Sequence, residues 1–260
     1  FLLLLLPASL LVFAAGRGLG APARYSILAT LLATDLTKAG VCVFLWWYAG
    51  RRRPALRLWA PRERPLVYVV LVAVGAAQML LRTLIQQLGL PTWQLESTLQ
   101  QLEQFPAAAV VTICFCAPVF EEVLFRGLLL PGLLKNYGPW RAILQSSLLF
   151  GLFHLNPGQA LASALMGLLL GWLYWRTRSL LACIWLHFLN NAGAWWLHQG
   201  SAGAETMQRL EGLVQHWPGG LGVLAVLLAG LAAVAYLTKP GLTLNAAASA
   251  TAAEPPARPA

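Results

Sequence analysis

Eight apolar runs constrain the fold of this chain more than any other feature. A helix needs about 17–25 apolar residues to cross a bilayer, and the runs lie at 1–16, 25–49, 66–90, 107–134, 140–156, 159–175, 179–198 and 218–238. Because 58% of the 260 residues are hydrophobic and only 10% are charged, a soluble globular domain is excluded. The sequence predicts an all-α polytopic membrane bundle of about eight transmembrane helices.

The first run, 1–16, is interpreted as a truncated spanning helix, because no basic region precedes it and no clear signal cleavage site follows. The net charge of +9 does not indicate nucleic-acid binding, since the cations lie in short linkers between apolar runs. With a cytoplasmic N-terminus, three cations face outward, at Arg17, Arg24 and Arg209. Twelve then face the cytoplasm: Arg51, Arg52, Arg53, Arg57, Arg62, Arg64, Lys135, Arg141, Arg176, Arg178, Lys239 and Arg258. This asymmetry predicts an integral membrane protein with its N-terminus in the cytoplasm, and the composition favours a bacterial inner membrane.

The run 107–134 contains charged residues where an ordinary spanning helix carries Leu or Val. Each ionised group at the bilayer centre costs about 2.5–3.5 kcal/mol on insertion scales, so Glu121, Glu122 and Arg126 need partners or a polar cavity. Glu122 and Arg126 are four residues apart, and we expect them to pair on one helix face. Glu121 is rotated by about 100° from Glu122 and is expected to meet another helix.

Two later runs also carry polar residues at helical spacing. Phe150 and His154 are four residues apart, just before the break Asn156-Pro157-Gly158, and His187 and Asn191 are one turn apart in the run 179–198. We therefore expect four side chains to converge on one cavity: Glu121, His154, His187 and Asn191.

These residues form the ordered set Glu121-Glu122-x-x-x-Arg126, Phe150-x-x-x-His154 and His187-x-x-x-Asn191. The set resembles the CPBP family, which comprises the CAAX prenyl protease 2 type (Ras-converting endopeptidase) and its bacterial relatives. The resemblance covers roughly residues 105–198. It implies a metal-independent glutamate intramembrane endopeptidase that needs no cofactor and acts on a protein or peptide substrate in the lipid bilayer.

The resemblance also implies roles for the individual residues. Glu121 and His154 would hold and deprotonate a water molecule for attack on a peptide carbonyl. His187 and Asn191 would donate hydrogen bonds to the developing oxyanion. The supporting residues are Glu122, Arg126 and Phe150.

The apolar runs and the resemblance together divide the chain into four parts. Residues 1–104 hold N-terminal transmembrane helices and an amphipathic interfacial segment at 91–105, and residues 105–198 are the CPBP-like catalytic core. Residues 199–245 hold an outer loop and the last transmembrane helix, and residues 246–260 form a disordered tail. Outside the core, we expect Asp35 to pair with Lys38, and Arg82 to snorkel outward or to face the bundle.

Other protease classes fit the sequence less well. Asp35 is the only aspartate, so an aspartyl protease is excluded, and no His-Glu-x-x-His zinc motif occurs. No serine in the chain has the flanking glycines of a nucleophile elbow, so the sequence does not indicate a serine nucleophile. A zinc site built from Glu121, Glu122, His154 and His187 remains an alternative, since carboxylates and imidazoles bind zinc.

Two functions of other classes also remain open. A catalytically idle relative could act as a membrane scaffold or a bacteriocin-immunity protein. A small transporter could use the buried Glu and His side chains as a proton relay.

Overall fold

The structure, a computed structural model, describes residues 63–91 and 103–238, together with helical positions 29, 33, 35–41, 43, 44 and 47. No β-strand occurs among these residues, which confirms the all-α expectation. From residue 63 onward the described helices are α1 (Pro65–Gln86), α2 (Pro106–Leu133), α3 (Pro139–Leu152), α4 (Pro157–Thr177), α5 (Leu180–Leu197), α6 (Gly200–Gln215) and α7 (Trp217–Leu237).

Local sequence signals begin most of these helices. Four of them begin with a proline. The first N–H groups of a helix have no acceptor within the helix, so a residue without an N–H costs nothing there. These prolines are Pro65, Pro106, Pro139 and Pro157. The Asn156 side chain accepts a hydrogen bond from the backbone N–H of Gln159 at 3.3 Å and caps α4. The Ser179 hydroxyl accepts one from the N–H of Ala182 at 3.2 Å and caps α5.

Helix α2 is continuous but not uniformly α-helical. Two segments are π-helical, Val111–Cys116 and Val123–Leu129, and each ends two residues before a proline, Pro118 or Pro131. A proline ring clashes with the carbonyl four residues back, and the wider π turn moves that carbonyl aside. The α-helical turn between the two π segments carries the paired carboxylates of the sequence motif.

Helices α3 and α4 pack against each other through glycine. A Cβ atom on Gly151 would lie 2.5 Å from the carbonyl oxygen of Ala160, and one on Gly167 would lie 3.0 Å from Cα of Ser147. Small residues let two membrane helices approach closely enough for backbone contact. The close packing holds the four-residue loop between α3 and α4 in place.

Helix α1 lies between α5 and α7. Its buried face carries Val67, Leu71 and Val74, which belong to one apolar cluster with Leu186 of α5 and Val234 of α7. This cluster joins α1 to α5, which carries the motif His187-x-x-x-Asn191.

Three described helices are long and apolar enough to cross a membrane: Pro65–Gln86, Pro106–Leu133 and Gly219–Leu237. They correspond to the predicted runs 66–90, 107–134 and 218–238. The runs 159–175 and 179–198 are also helical, as α4 and α5, but polar side chains lower the hydropathy of both. The chain is thus an integral membrane protein, while the count of eight spans stays a prediction.

Two segments differ from the sequence-based expectation. The run 140–156 forms a helix only to Leu152, because Leu155 adopts φ 52° before Pro157, and its 14 residues cover about 21 Å of a core about 30 Å thick. The expected outer loop after residue 198 is instead helix α6, which good helix formers and an ion pair between Glu205 and Arg209 favour.

Several predictions fall on residues that the structure does not describe. The run 1–16 and the tail 246–260 lie outside the described residues, as does most of the interfacial segment 91–105. The four-part division of the chain also stays a prediction.

Candidate active site

A cavity of about 300 Å³ lies among α1, α2, α4 and α5. All four side chains expected to converge line it: Glu121 from α2, His154 from the loop after α3, and His187 and Asn191 from α5. Phe150 at the end of α3 lines it as well. The structure therefore brings together residues that are as many as 70 positions apart in the sequence.

Glu122 lies behind the cavity wall in a buried network. Its Oε1 atom is 2.8 Å from Nη1 of Arg126 and 2.8 Å from Nδ1 of His187. Both members of the Glu122–Arg126 pair are 0% exposed, which confirms the expected i,i+4 pair. Arg126 also donates from Nη2 to the Gly167 carbonyl at 3.1 Å, and its guanidinium carbon lies 4.6 Å from the centre of the Phe150 ring. The network joins α2, α3, α4 and α5.

The contact with Glu122 determines which nitrogen of His187 carries hydrogen. An ionised carboxylate only accepts hydrogen bonds, so Nδ1 of His187 is the donor to Glu122. In the neutral ring, Nε2 then carries a lone pair, and it lies 3.8 Å from Oε2 of Glu121. His187 can donate from Nε2 only when both ring nitrogens are protonated.

His154 is oriented in the same way by a backbone acceptor. Its Nδ1 atom lies 2.9 Å from the carbonyl oxygen of Phe150, which also only accepts, so Nδ1 is the donor. This leaves Nε2 of the neutral ring as an acceptor. The Phe150 ring packs edge-on against both imidazoles, with centroid distances of 5.2 Å to His154 and 5.8 Å to His187. Phe150 therefore positions both rings.

Asn191 is held by the first π segment of α2. Its Nδ2 atom donates to the Ile113 carbonyl at 2.9 Å, and its Oδ1 accepts from Asn190 at 3.3 Å. The backbone N–H of Ala117 bonds to Thr112, five residues back, so the next partner in the π pattern for Ile113 would be Pro118, which has no N–H. The proline thus frees the carbonyl that orients Asn191.

Glu121 differs from its neighbour in its surroundings. Its side chain is 12% exposed and lines the cavity, whereas Glu122 is 0% exposed and does not. Within the described part of the chain, Oε2 of Glu121 has no hydrogen-bond partner. Oε2 of Glu122 has no partner among these residues either, but Glu122 does not line the cavity. Of the two carboxylates, Glu121 is therefore the one placed to accept a proton in the cavity.

The zinc alternative considered from the sequence uses Glu121, Glu122, His154 and His187 as ligands. Over residues 63–91 and 103–238 and the described positions before them, no group of three or more His, Cys, Asp or Glu side chains has a geometry that could hold a metal ion. Of the four candidate ligands, Glu122 and Nδ1 of His187 are hydrogen-bonded to each other, while Glu121 and His154 line the cavity and Nε2 of His187 lies toward Glu121.

Some cavity-lining residues were not singled out from the sequence. The polar ones among them include Gln78 of α1, Gln159 of α4 and Asn190 of α5. A signal was present for Gln78, since it is one helical turn before Arg82 in an apolar run. Arg82 itself lines the cavity, so it faces the bundle.

The expected pairing of Asp35 with Lys38 is wrong. Asp35 accepts a hydrogen bond at Oδ2 from the Thr112 hydroxyl at 2.7 Å, which ties the earlier helical segment to α2. No ion pair within 4 Å joins Asp35 to Lys38, although both positions are described. Lys38 instead lines the cavity. The three-residue spacing allowed the pair, but a partner on another helix was available to Asp35.

The fold and cavity define a class: a helical integral membrane protein with a carboxylate and three imidazoles lining a shared cavity. Residues 103–193 match the family model described as Rce1-like: Type II CAAX prenyl endopeptidase Rce1-like. This match covers about a third of the chain and supports the CPBP family membership that the motifs indicated. No curated protein and no solved structure matches the chain significantly. The family is one of proteases, which supports a peptidase activity.

Proposed function

We propose that this chain is an intramembrane endopeptidase that hydrolyses a peptide bond of a membrane-associated protein or peptide. The observation that carries the proposal is the difference between the two adjacent carboxylates. Glu122 is engaged through Oε1 with Arg126 and His187 and does not line the cavity, whereas Glu121 lines the cavity and forms no hydrogen bond with Arg126. One carboxylate thus supports the site and the other is available as a general base.

In this mechanism Glu121 and Nε2 of His154 accept hydrogen bonds from a water molecule, and Glu121 takes one of its protons. The hydroxide adds to the peptide carbonyl carbon, and the carbonyl oxygen becomes an oxyanion. When the tetrahedral intermediate collapses, the C–N bond breaks and Glu121 returns the proton to the leaving amine. The products are a carboxylic acid and an amine, so atoms and charge balance.

Asn191 and His187 stabilise the oxyanion. Asn191 uses one Nδ2 hydrogen on the Ile113 carbonyl and keeps the second for substrate. His187 donates from Nε2 in its doubly protonated form, whose positive charge the Glu122 carboxylate offsets. One such donor typically contributes about 10²–10³ in rate. No step requires a metal ion.

The remaining parts of the proposal concern the membrane. The cation asymmetry of the linkers supports a bundle of about eight spans with a cytoplasmic N-terminus, and the composition favours a bacterial inner membrane. The substrate reaches the cavity from the bilayer or its interface.

The test compares Glu121→Gln with wild type in the native membrane. Membrane proteomes from cells with each form are compared for new peptide termini, and we expect termini that disappear with Glu121→Gln while the variant remains inserted at normal yield. Gln keeps the shape of the side chain but cannot take a proton. Unchanged termini and turnover in Glu121→Gln would overturn the mechanism, and proton or solute transport that depends on Glu121 would favour the transporter.

A further inference from the structure

The cavity has a second polar wall that the proposed mechanism does not use. The name covers three side chains that line the same cavity: Gln78 and Arg82 of α1, and Lys38 of the earlier helical segment. Gln78 and Arg82 are four residues apart, so they project from one face of α1.

Gln78 is the most deeply buried of the three. Only 3% of the residue is exposed, and its amide forms no hydrogen bond with the residues that the structure describes. The amide oxygen and nitrogen are not sealed within the packing but remain accessible to the cavity, where they can bond to water or to a ligand. An amide that lines a cavity in this way is therefore available to a ligand.

Arg82 and Lys38 add two positive charges to the same wall. Within the described ranges neither forms an ion pair or a hydrogen bond, and the nearest acidic side chain in sequence, Asp35, is bonded to Thr112. Glu121 is the only carboxylate that lines the cavity among the described residues. The cavity thus has two cations against one anion even when its three imidazoles, those of His154, His187 and His198, are neutral.

We infer that this wall is a subsite for a carboxylate of the peptide substrate, bound by Arg82 and Lys38 and by the amide of Gln78. A guanidinium pairs with a carboxylate through two parallel hydrogen bonds, and an ammonium supplies a point charge. The inference rests on the proposed function. The carboxylate comes either from the substrate's C-terminus or from an acidic side chain.

The size of the cavity adds a constraint on the substrate. About 300 Å³ is at the small end of ligand sites, which span about 300–1,000 Å³. A scissile carbonyl beside Glu121 and a carboxylate beside Arg82 must then belong to residues close together in the substrate. The subsite would make the enzyme cleave within a few residues of a negative charge.

A lipid phosphate is the competing occupant, since Arg and Lys near helix ends reach headgroups. The peptide carboxylate is favoured because Arg82 and Lys38 line the same cavity as Glu121. The almost complete burial of Gln78 also places this wall away from an open headgroup surface.

The test measures binding separately from cleavage. The full chain carrying Glu121→Gln is placed in phosphatidylcholine nanodiscs, and fluorescence anisotropy follows three labelled hexapeptides of leucine and alanine. One peptide has a free C-terminal carboxylate, one has a C-terminal amide, and one has the amide with an internal glutamate. We expect the free acid or the glutamate peptide to bind about 10–100-fold more tightly than the plain amide, as for a charge-assisted contact.

Variants in the same background identify the residues responsible. Arg82→Gln and Lys38→Gln should each remove most of the preference for the charged peptide, and Arg82→Lys should keep part of it. Arg141→Gln is the matched control, because Arg141 is an exposed cation outside the cavity and its loss should change nothing. If Arg82→Gln does not fold, as judged by size-exclusion chromatography, Lys38→Gln and Arg82→Lys carry the test.

Each outcome decides the inference. Equal affinity for all three peptides, or no measurable binding of the charged ones, overturns the subsite even if the wild-type protein cleaves peptides. Arg82-dependent binding of phosphatidylglycerol without any peptide preference overturns it in favour of lipid. A charge preference that depends on Arg82 supports the subsite even if no cleavage is found, in which case the proposed function alone fails.

Discussion

Glu122→Gln tests whether the buried network behind the cavity is structural, as the geometry indicates. The substitution keeps an oxygen that can accept from Nδ1 of His187 but removes the negative charge opposite Arg126. Arg126 is 0% exposed, and the structure offers its guanidinium one other acceptor, the Gly167 carbonyl at 3.1 Å. The variant therefore leaves a buried positive charge without its counter-ion.

The expected cost follows from that burial. Removing one partner of a buried ion pair costs about 3–5 kcal/mol, because the remaining charge stays in a medium of low dielectric constant. Solvent does not screen the attraction between Glu122 and Arg126, because both side chains are 0% exposed. In a chain of 260 residues this lowers the melting temperature by roughly 6–20 °C. Replacing both partners, Glu122→Gln with Arg126→Met, removes the unpaired charge and should recover about half of the loss or more.

The assay is thermal unfolding in detergent of wild type, the two single variants and the double variant, with Glu121→Gln as the matched control. Glu121 faces the cavity and forms no ion pair with an arginine, so Glu121→Gln should unfold within about 0.5 kcal/mol of wild type. Strictly additive losses in the double variant would show that Glu122 and Arg126 are not coupled. A Glu122→Gln protein as stable as wild type would refute the reasoning outright.

Three further predictions concern packing, metal and topology. Gly167→Ala should lower the free energy of unfolding by about 1–3 kcal/mol in thermal unfolding, because the new Cβ would lie 3.0 Å from Cα of Ser147. The control is Gly132→Ala, whose Cβ would have no atom within 4 Å and which should be neutral or slightly stabilising. Activity of the purified protein should survive strong chelators, with far less than one zinc per chain by elemental analysis, and stoichiometric zinc whose removal abolishes activity would refute this. Reporter fusions in the loops 51–64 and 91–105 should report opposite sides of the membrane, and the same side for both would contradict the span assignment.

The candidate site was predictable from the sequence to the extent that it depends on helical periodicity. Glu122 and Arg126 pair along one helix, which the i,i+4 spacing predicts, and the ordered motifs indicated which side chains share the cavity. The same local reasoning was wrong for Asp35 and Lys38. A three-residue spacing permits a pair but does not exclude a better partner elsewhere, here the Thr112 hydroxyl.

The sequence did not predict the hydrogen bonds between different helices. The hydrogen bond between Glu122 and His187 joins residues 65 positions apart, and that between Asn191 and Ile113 joins residues 78 apart. These contacts assign the Nδ1 hydrogen of His187 and orient the Asn191 amide. They therefore decide which atoms are left to react, although the residue types and their spacing are unchanged.

Local sequence patterns were sufficient to predict a helical membrane protein with a polar centre. Hydropathy and periodicity are local properties, and a charge in an apolar run must find a partner wherever the helices pack. The tertiary structure alone decided which partner each charge has, because that depends on how helices far apart in the chain are arranged. In the folded chain Glu121 lines the cavity, whereas Glu122 is fully buried outside it. The same cavity is also lined by Gln78, Lys38 and Arg82.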